Sequence, residues 1–281
     1  MKIQNRIHVY AACALTLLLG AAASSCSTQN EKEACTKNCE AEDTRIAFKT
    51  FDEEQTYTIP GTDTLFSMDH NATFTAKASL MMPTSIEDAD VAVLREAIMN
   101  AATGGQVSKP CEKAVEAYFK SVADSLGYGA VEEAKEDVGI MEADGFMNIS
   151  GTVASLSPRV LSYAVASYTY PVHAANGESV ISYVNYDFTA KKVMNLDDVF
   201  TAEGIKELPA VIAERVKQTN ADAEVTALPQ TGSYYVDYEG RIVFVYQQGE
   251  VSSMAAGAVT AAFYPQELSQ YMTPAGKAFL E

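Results

Sequence analysis

SYTYPVHAANGESVISYVNYDFTAKKVMNLDDVF, Ser167 to Phe200, is the stretch whose reading decides the fold. Ser167–Tyr170 and Val180–Phe188 are rich in β-branched and aromatic residues. In the second run Val180, Ser182, Val184, Tyr186 and Phe188 alternate with Ile181, Tyr183, Asn185 and Asp187, so both faces of this strand are covered at least in part. Between the runs, Pro171–Ser179 carries Pro, Asn and Gly, residues that fix φ or permit positive φ and so reverse a chain. The two strands are therefore expected as antiparallel neighbours. Thr189–Lys192 makes the next turn. Asn195, Asp197 and Asp198 then offer side-chain acceptors to a helix start, with Leu196, Val199 and Phe200 pointing inward.

Outward from that core, the beginning of the chain reads as an export signal. Lys2 and Arg6 precede an apolar run from Val9 to Ala23, shorter than the roughly 20 residues that span a bilayer, and small residues lead to Cys26. Ala23-Ser24-Ser25-Cys26 resembles a lipoprotein cleavage box, in which the cysteine is lipidated and becomes the new N-terminus; Ala23 stands where the usual Leu would be. Two routes stay open: removal of residues 1–25 with a lipid (palmitate) on Cys26, or simple cleavage after Ala21-Ala22-Ala23. Residues 26–43 have almost no apolar content and read as a flexible, lipidated tether. Cys35 and Cys39 within it are a candidate disulfide pair for an oxidising envelope. No CxxC or HxxxH spacing pre-arranges a metal site, and no metal or cofactor is expected.

Charge narrows the partners. The chain holds 20 Lys+Arg against 37 Asp+Glu; loss of Lys2 and Arg6 with the signal leaves 18 against 37, a formal charge of −19. Such a surface repels phosphate backbones and anionic headgroups, which argues against nucleic-acid binding and leaves the N-terminal lipid as the membrane contact. With 48% hydrophobic residues there is material for one large or two small cores. The mature chain is expected as a monomer.

The front half, 44–156, opens with Arg45–Phe51 and Gln55–Ile59 as strands joined by Asp52-Glu53-Glu54. Thr73–Leu80 alternates polar with apolar, a strand with one wet face, and Pro83 is expected to end it. Thr84 or Ser85 is then the expected cap of a helix with Glu87 and Asp88 in its first turn. Its apolar positions are Val91, Leu94, Ile98 and Ala101, and Gly104-Gly105 stops it. A second helix, Pro110–Leu126, lines up Val115, Tyr118, Phe119 and Val122. Val131–Asp144 is a carboxylate-rich solvated helix or connector, and Phe146–Leu156 and Val160–Tyr170 are strands broken by Ser157-Pro158.

In the back half, 157–281, Leu208, Val211, Ile212, Arg215 and Val216 mark an amphipathic helix with Pro209 in its first turn. Ser233–Tyr238 and Arg241–Gln247 form a hairpin about Glu239-Gly240. Ala258–Tyr264 is a last strand, and Pro265–Leu280 a helical end. The fold class is therefore α+β: antiparallel sheets with helices packed on one face, two small subdomains in tandem.

Chemistry is sparse. No G-x-S-x-G elbow, H-E-x-x-H or phosphate-cradling glycine loop occurs. Two mature histidines, His70 and His173, leave little for a catalytic pair. The tyrosines of the strands combine an apolar ring with a polar tip and can stack on a sugar or a partner protein, or simply fill half-wet strand positions. The loop and its flanking strands supply the candidate ligand-binding residues Tyr170, His173, Asn176 and Tyr183.

Thr169–Phe200, the Leu208 helix and YYVDYEGRIVFVYQQGEVSSMAAGAVTAAFYPQEL, Tyr234–Leu268, resemble the DUF3298 domain, the C-terminal half of RsiV-type anti-sigma factors. The shared features are the aromatic strand with its turn and Leu196-Asp197-Asp198-x-Phe200, the strand ending in Phe244-Val245-Tyr246, the small-residue loop to Gly257, and Tyr264-Pro265-x-x-Leu268. The Leu80 strand, Pro83 and the Leu94–Ile98 helix resemble the DUF4163 domain found beside it and in PdaC-type proteins. The resemblance implies an extracytoplasmic α+β module, and RsiV-type proteins recognise lysozyme with theirs. Their sigma-binding segment and membrane span are not evident here, so control of a sigma factor by that route is not expected, nor is the separate deacetylase chemistry of PdaC-type proteins. A loop pattern of the family, Gly-Gly-Ala-His, stands here as Pro171-Val172-His173. The expected function is non-catalytic: a lipoprotein of the bacterial cell envelope that binds or senses a protein such as lysozyme, or an envelope glycan. The alternative is a hydrolase of envelope polysaccharide that uses a carboxylate pair.

Overall fold

The computed structural model describes residues 45–58, 73–106, 112–127, 145–171, 174, 176–230 and 233–280. The expected signal, the tether with Cys26, Cys35 and Cys39, the Val131–Asp144 segment, and His70 and His173 lie outside the described residues.

The organising stretch folds as its pattern requires. β4 (Val160–Tyr170) and β5 (Glu178–Asp187) pair antiparallel, with Tyr168 opposite Ser179 and Ala164 opposite Tyr183. The Asp187 carboxylate accepts from the N–H groups of Thr189 and Ala190 and shapes the turn into β6 (Lys192–Val193). A single helical turn, α3 (Leu196–Val199), follows, its entry fixed where Asp198 accepts from the Asn195 N–H at 3.0 Å.

Ahead of them stand β1 (Ile46–Thr58), β2 (Thr73–Ile86), α1 (Val91–Ala102), α2 (Glu112–Ser125) and β3 (Gly145–Leu156). Strands β1 to β6 make one six-stranded sheet in sequence order, so the boundary expected at 156/157 falls in the hairpin between two of its paired strands. All pairs are antiparallel except β2–β3, which is parallel across the connection that carries α1 and α2. Both helices lie on one face. Leu94, Ile98, Val115 and Phe119 pack there against Phe74, Leu80, Ile149, Leu161, Tyr163, Val184 and Tyr186 in one buried cluster.

Three expectations for the front half are corrected. β1 runs unbroken through Asp52-Glu53-Glu54, because Asp52 and Glu54 point to the wet face, where Asp52 accepts from Ser79 Oγ and Glu54 pairs with Lys77 at 3.0 Å. β2 continues through Pro83 to Ile86. Its pairing with β3 stops at Leu80, so beyond that point β2 has a neighbour on one side only and a residue without an N–H is tolerated. α1 consequently starts later, and Asp90 is its cap, accepting from the Ala92 N–H at 2.9 Å.

In the back half α4 (Ala202–Lys217) is capped by Thr201, which places Pro209 in the helix interior and not in its first turn. That position costs a backbone hydrogen bond, offset by burial of Leu208, Ile212 and Val216. β7 (Tyr234–Val236), β8 (Ile242–Tyr246) and β9 (Val259–Phe263) form a second, three-stranded sheet, followed by α5 (Pro265–Leu268) and α6 (Pro274–Leu280). One face of this sheet, with Ile242, Phe244, Tyr246 and Phe263, packs on α4 and α6. The other, with Tyr235, Val243 and Val245, packs on Ala164, Ile181 and Tyr183 of the large sheet. The layers run helix, six-stranded sheet, three-stranded sheet, helix, an α+β architecture in which each sheet carries helices on one face.

A buried polar seam joins the sheets. Ser162 Oγ donates to Asn185 Oδ1 at 2.6 Å and accepts from the Val236 N–H, while Asn185 Nδ2 donates to the Tyr234 carbonyl at 2.9 Å. The edge of β7 is thus finished by side chains of β4 and β5 in place of another strand. Gln247 does the same for β5: its amide accepts from the Ile181 N–H and donates to the Ile181 carbonyl, both at 2.8 Å.

Candidate functional site

The second face of the large sheet is only half covered. Side chains alternate across a strand, and since Phe74, Ala76, Ala78 and Leu80 are buried under the helices, Thr75, Lys77 and Ser79 stand on the opposite side. The register sets Thr56, Thr75, Phe146 and Tyr170 in one row across four strands. Glu54, Lys77, Asn148, Tyr168 and Ser179 make the next row, and Asp52, Ser79, Ser150, Ala166 and Ile181 the third. The three-stranded sheet begins to cover this face at Ile181 and Tyr183. Among the described residues, nothing packs over the first two rows.

Those rows hold an aromatic group that the core does not absorb. Phe146 is 37% and Tyr168 38% exposed. The Phe146 ring lies 5.8 Å from that of Tyr170 at an interplanar angle of 22°, and 5.6 Å from that of Tyr168 at 38°. The loop after β4 holds the two tyrosines in place. Tyr170 Oη donates to the Ala174 carbonyl at 2.7 Å, and Gly177 lies so close against the Tyr168 ring that any Cβ there would overlap it. Around the rings stand Thr75, which bonds Thr56 at 3.2 Å, the exposed Asn148 and Ser150, and the Lys77–Glu54 pair. The result is a small apolar platform with hydroxyl, amide and charged neighbours on a rigid sheet.

Of the four residues expected to bind ligand, Tyr170 belongs to this platform, and Asn176 is exposed in the loop beside Gly177. His173 lies outside the described residues. Tyr183 is elsewhere: it is 8% exposed and stacked on Tyr235 at 4.6 Å between the two sheets, and burial, with Tyr235 beside it, pushes its hydroxyl well above the usual tyrosine range. Tyr168 is one of the strand tyrosines whose rings the sequence offers for stacking, whereas Phe146 is not among its candidates. The signal for Phe146 is its place in Phe146-Asn148-Ser150, the polar side of a strand whose other side is Met147 and Ile149.

A second concavity, a hollow of about 430 Å³, lies along β9 and the end of α4, lined by Arg215, Thr219, Asn220 and Arg241. Its cations are committed: Arg215 pairs with Glu267 and lies over the Phe263 ring at 4.4 Å, and Arg241 pairs with Asp237 at 2.7 Å and Glu239 at 3.3 Å. The carboxylates with displaced titrations are held ionised. Burial pushes Asp198 up, but hydrogen bonds from Lys192 and the Asn195 N–H and the charge of Lys192 bring it below the usual range. Glu267 is lowered by the Tyr264 N–H, against some burial, and by Arg215. An acid that delivers a proton to a glycosidic oxygen needs the opposite displacement. Among the described residues no three His, Cys, Asp or Glu side chains gather as a metal site, and no helix is long and apolar enough to cross a membrane.

The fold defines the class: a layered α+β module whose architecture is similar to that of solved DUF3298 family proteins. A member of the DUF3298 family from Bacteroides fragilis superposes on 84% of this chain and 97% of its own, with a TM-score of 0.62 and 15% identity. A DUF3298 family protein from Pseudomonas aeruginosa PAO1 covers 82% of this chain and 97% of its own at a TM-score of 0.50 and 11% identity. Both likenesses extend over the front and back halves together and concern the fold. No family model matches the sequence, and the search of curated proteins found no match.

Proposed function

We infer that this chain is a non-catalytic binding module of the bacterial cell envelope, exported and held at the membrane by a lipid on Cys26, and acting as a monomer that engages an extracytoplasmic ligand. The observation that carries the reading is the exposed group of Phe146, Tyr168 and Tyr170 on an uncovered sheet face, fixed by the loop that follows β4. Aromatic rings left in water on a rigid scaffold lose nothing in ordering when a ligand covers them, so their burial goes largely into affinity. The Cys26 box, the acidic chain and the sequence resemblance to DUF3298 and DUF4163 domains support the location.

The test is to incubate purified full-length protein with peptidoglycan sacculi, and separately with lysozyme, then to measure bound protein and released fragments. Association with either, with no soluble sugar released from the sacculi, is the expected result. Release of reducing ends that scales with protein concentration overturns the non-catalytic reading.

A further inference from the structure

Resting on that binding reading, we propose that the open face takes an uncharged glycan, with a pyranose ring stacked on Phe146 and Tyr170 and its hydroxyls met by Asn148, Thr75 and the loop at Asn176. Three observations select this ligand. The first is geometry. Phe146 and Tyr170 stand in one cross-strand row with nearly parallel rings, 22° apart with centroids 5.8 Å from each other, and the Phe146 ring is left 37% exposed beside the loop. The axial C–H bonds of a pyranose give it a weakly positive apolar face, which complements the negative face of an aromatic ring.

The second is charge. Glu54 and Lys77 neutralise each other at 3.0 Å, while Asp52 stands exposed in the adjoining row of a chain whose formal charge is −17. An anionic polymer meets net repulsion here, whereas a neutral sugar does not. The third is extent. A stable protein interface buries about 800 Å² on each side around an apolar centre. The rings end after two rows; in the third, Asp52, Ser79 and Ser150 are polar, and Ile181 is already met by the second sheet. An apolar island surrounded by hydroxyl and amide groups matches a few sugar units better than a protein face.

Preorganisation is built in. The Tyr170 hydroxyl is already bound to the Ala174 carbonyl, and the Tyr168 ring lies against Gly177, where no Cβ stands in its way, so binding has little to order in Tyr170.

Titration calorimetry on the full-length protein tests this with uncharged oligosaccharides of N-acetylglucosamine, glucose and mannose, an anionic polysaccharide, and lysozyme. The expected result is binding of at least one uncharged oligosaccharide with little dependence on salt. Phe146→Leu, which keeps apolar bulk and removes the ring, should weaken it by about tenfold or more, and Phe146→Tyr should retain it, both with unchanged melting temperatures. Salt-sensitive binding of lysozyme with no sugar binding overturns the glycan assignment and leaves the binding reading standing. Tighter binding of the anionic polymer, sugar binding indifferent to Phe146→Leu, or no sugar bound at all also overturns it.

Discussion

Two tyrosines show how one hydroxyl decides what a buried residue is worth. Tyr234 is buried and donates to the Met194 carbonyl at 2.8 Å, whereas the Tyr186 hydroxyl is buried with no hydrogen-bond partner among the described residues. An unsatisfied buried hydroxyl carries a desolvation cost with no return, and a satisfied one contributes. Tyr186→Phe is therefore expected to raise the unfolding free energy by about 1 kcal/mol, and Tyr234→Phe to lower it by about the same. Denaturant unfolding of both variants checks the pair; a loss of stability in Tyr186→Phe would show that its hydroxyl is satisfied. At this scale the sequence speaks unevenly. Tyr170 and Asn176 were legible as site candidates because they flank a turn-rich loop. Tyr183 was not placed correctly by pattern, since alternation shows that a strand has two faces and does not show which is covered by another sheet.

Among elements, the seam between the sheets determines whether the halves hold together. β7 has only three residues and a neighbour on one side, yet its Tyr234 carbonyl and Val236 N–H are met by Asn185 and Ser162. Asn185→Ala leaves the Tyr234 carbonyl and the Ser162 hydroxyl without these partners in a dry interface, and a loss of about 2 to 3 kcal/mol follows. A denaturant midpoint within error of the parent would mean that the seam is dispensable. None of this seam can be read from Ser162 or Asn185 alone, because the partners lie far along the chain. The same limit explains the corrections to β1 and β2. Asp52-Glu53-Glu54 and Pro83 look like interruptions by local propensity, but Ser79 and Lys77 stand opposite the carboxylates, and Pro83 falls where β2 has lost one neighbour. What local pattern did carry was the antiparallel pairing of β4 with β5, and the α1 and α2 stripes, whose Leu94, Ile98, Val115 and Phe119 are all buried.

At the largest scale, helices lie on the outer face of each sheet and the sheets stack against each other, yet among the described residues part of the large sheet has no cover. The proposed ligand lies on that face, and the acidity of the chain works against anionic partners there. Exposed aromatic and sulfur side chains elsewhere give internal controls: Tyr238, Tyr264 and Met254 are 76%, 49% and 51% exposed and lie on the second sheet and its loops. The most direct test is hydroxyl-radical footprinting of the full-length protein with and without an uncharged N-acetylglucosamine oligosaccharide. Oxidation of Phe146, Tyr168 and Tyr170 should fall on binding while Tyr238, Tyr264 and Met254 stay unchanged. Protection of Tyr238 and Tyr264 with Phe146 and Tyr168 still reactive would contradict the account.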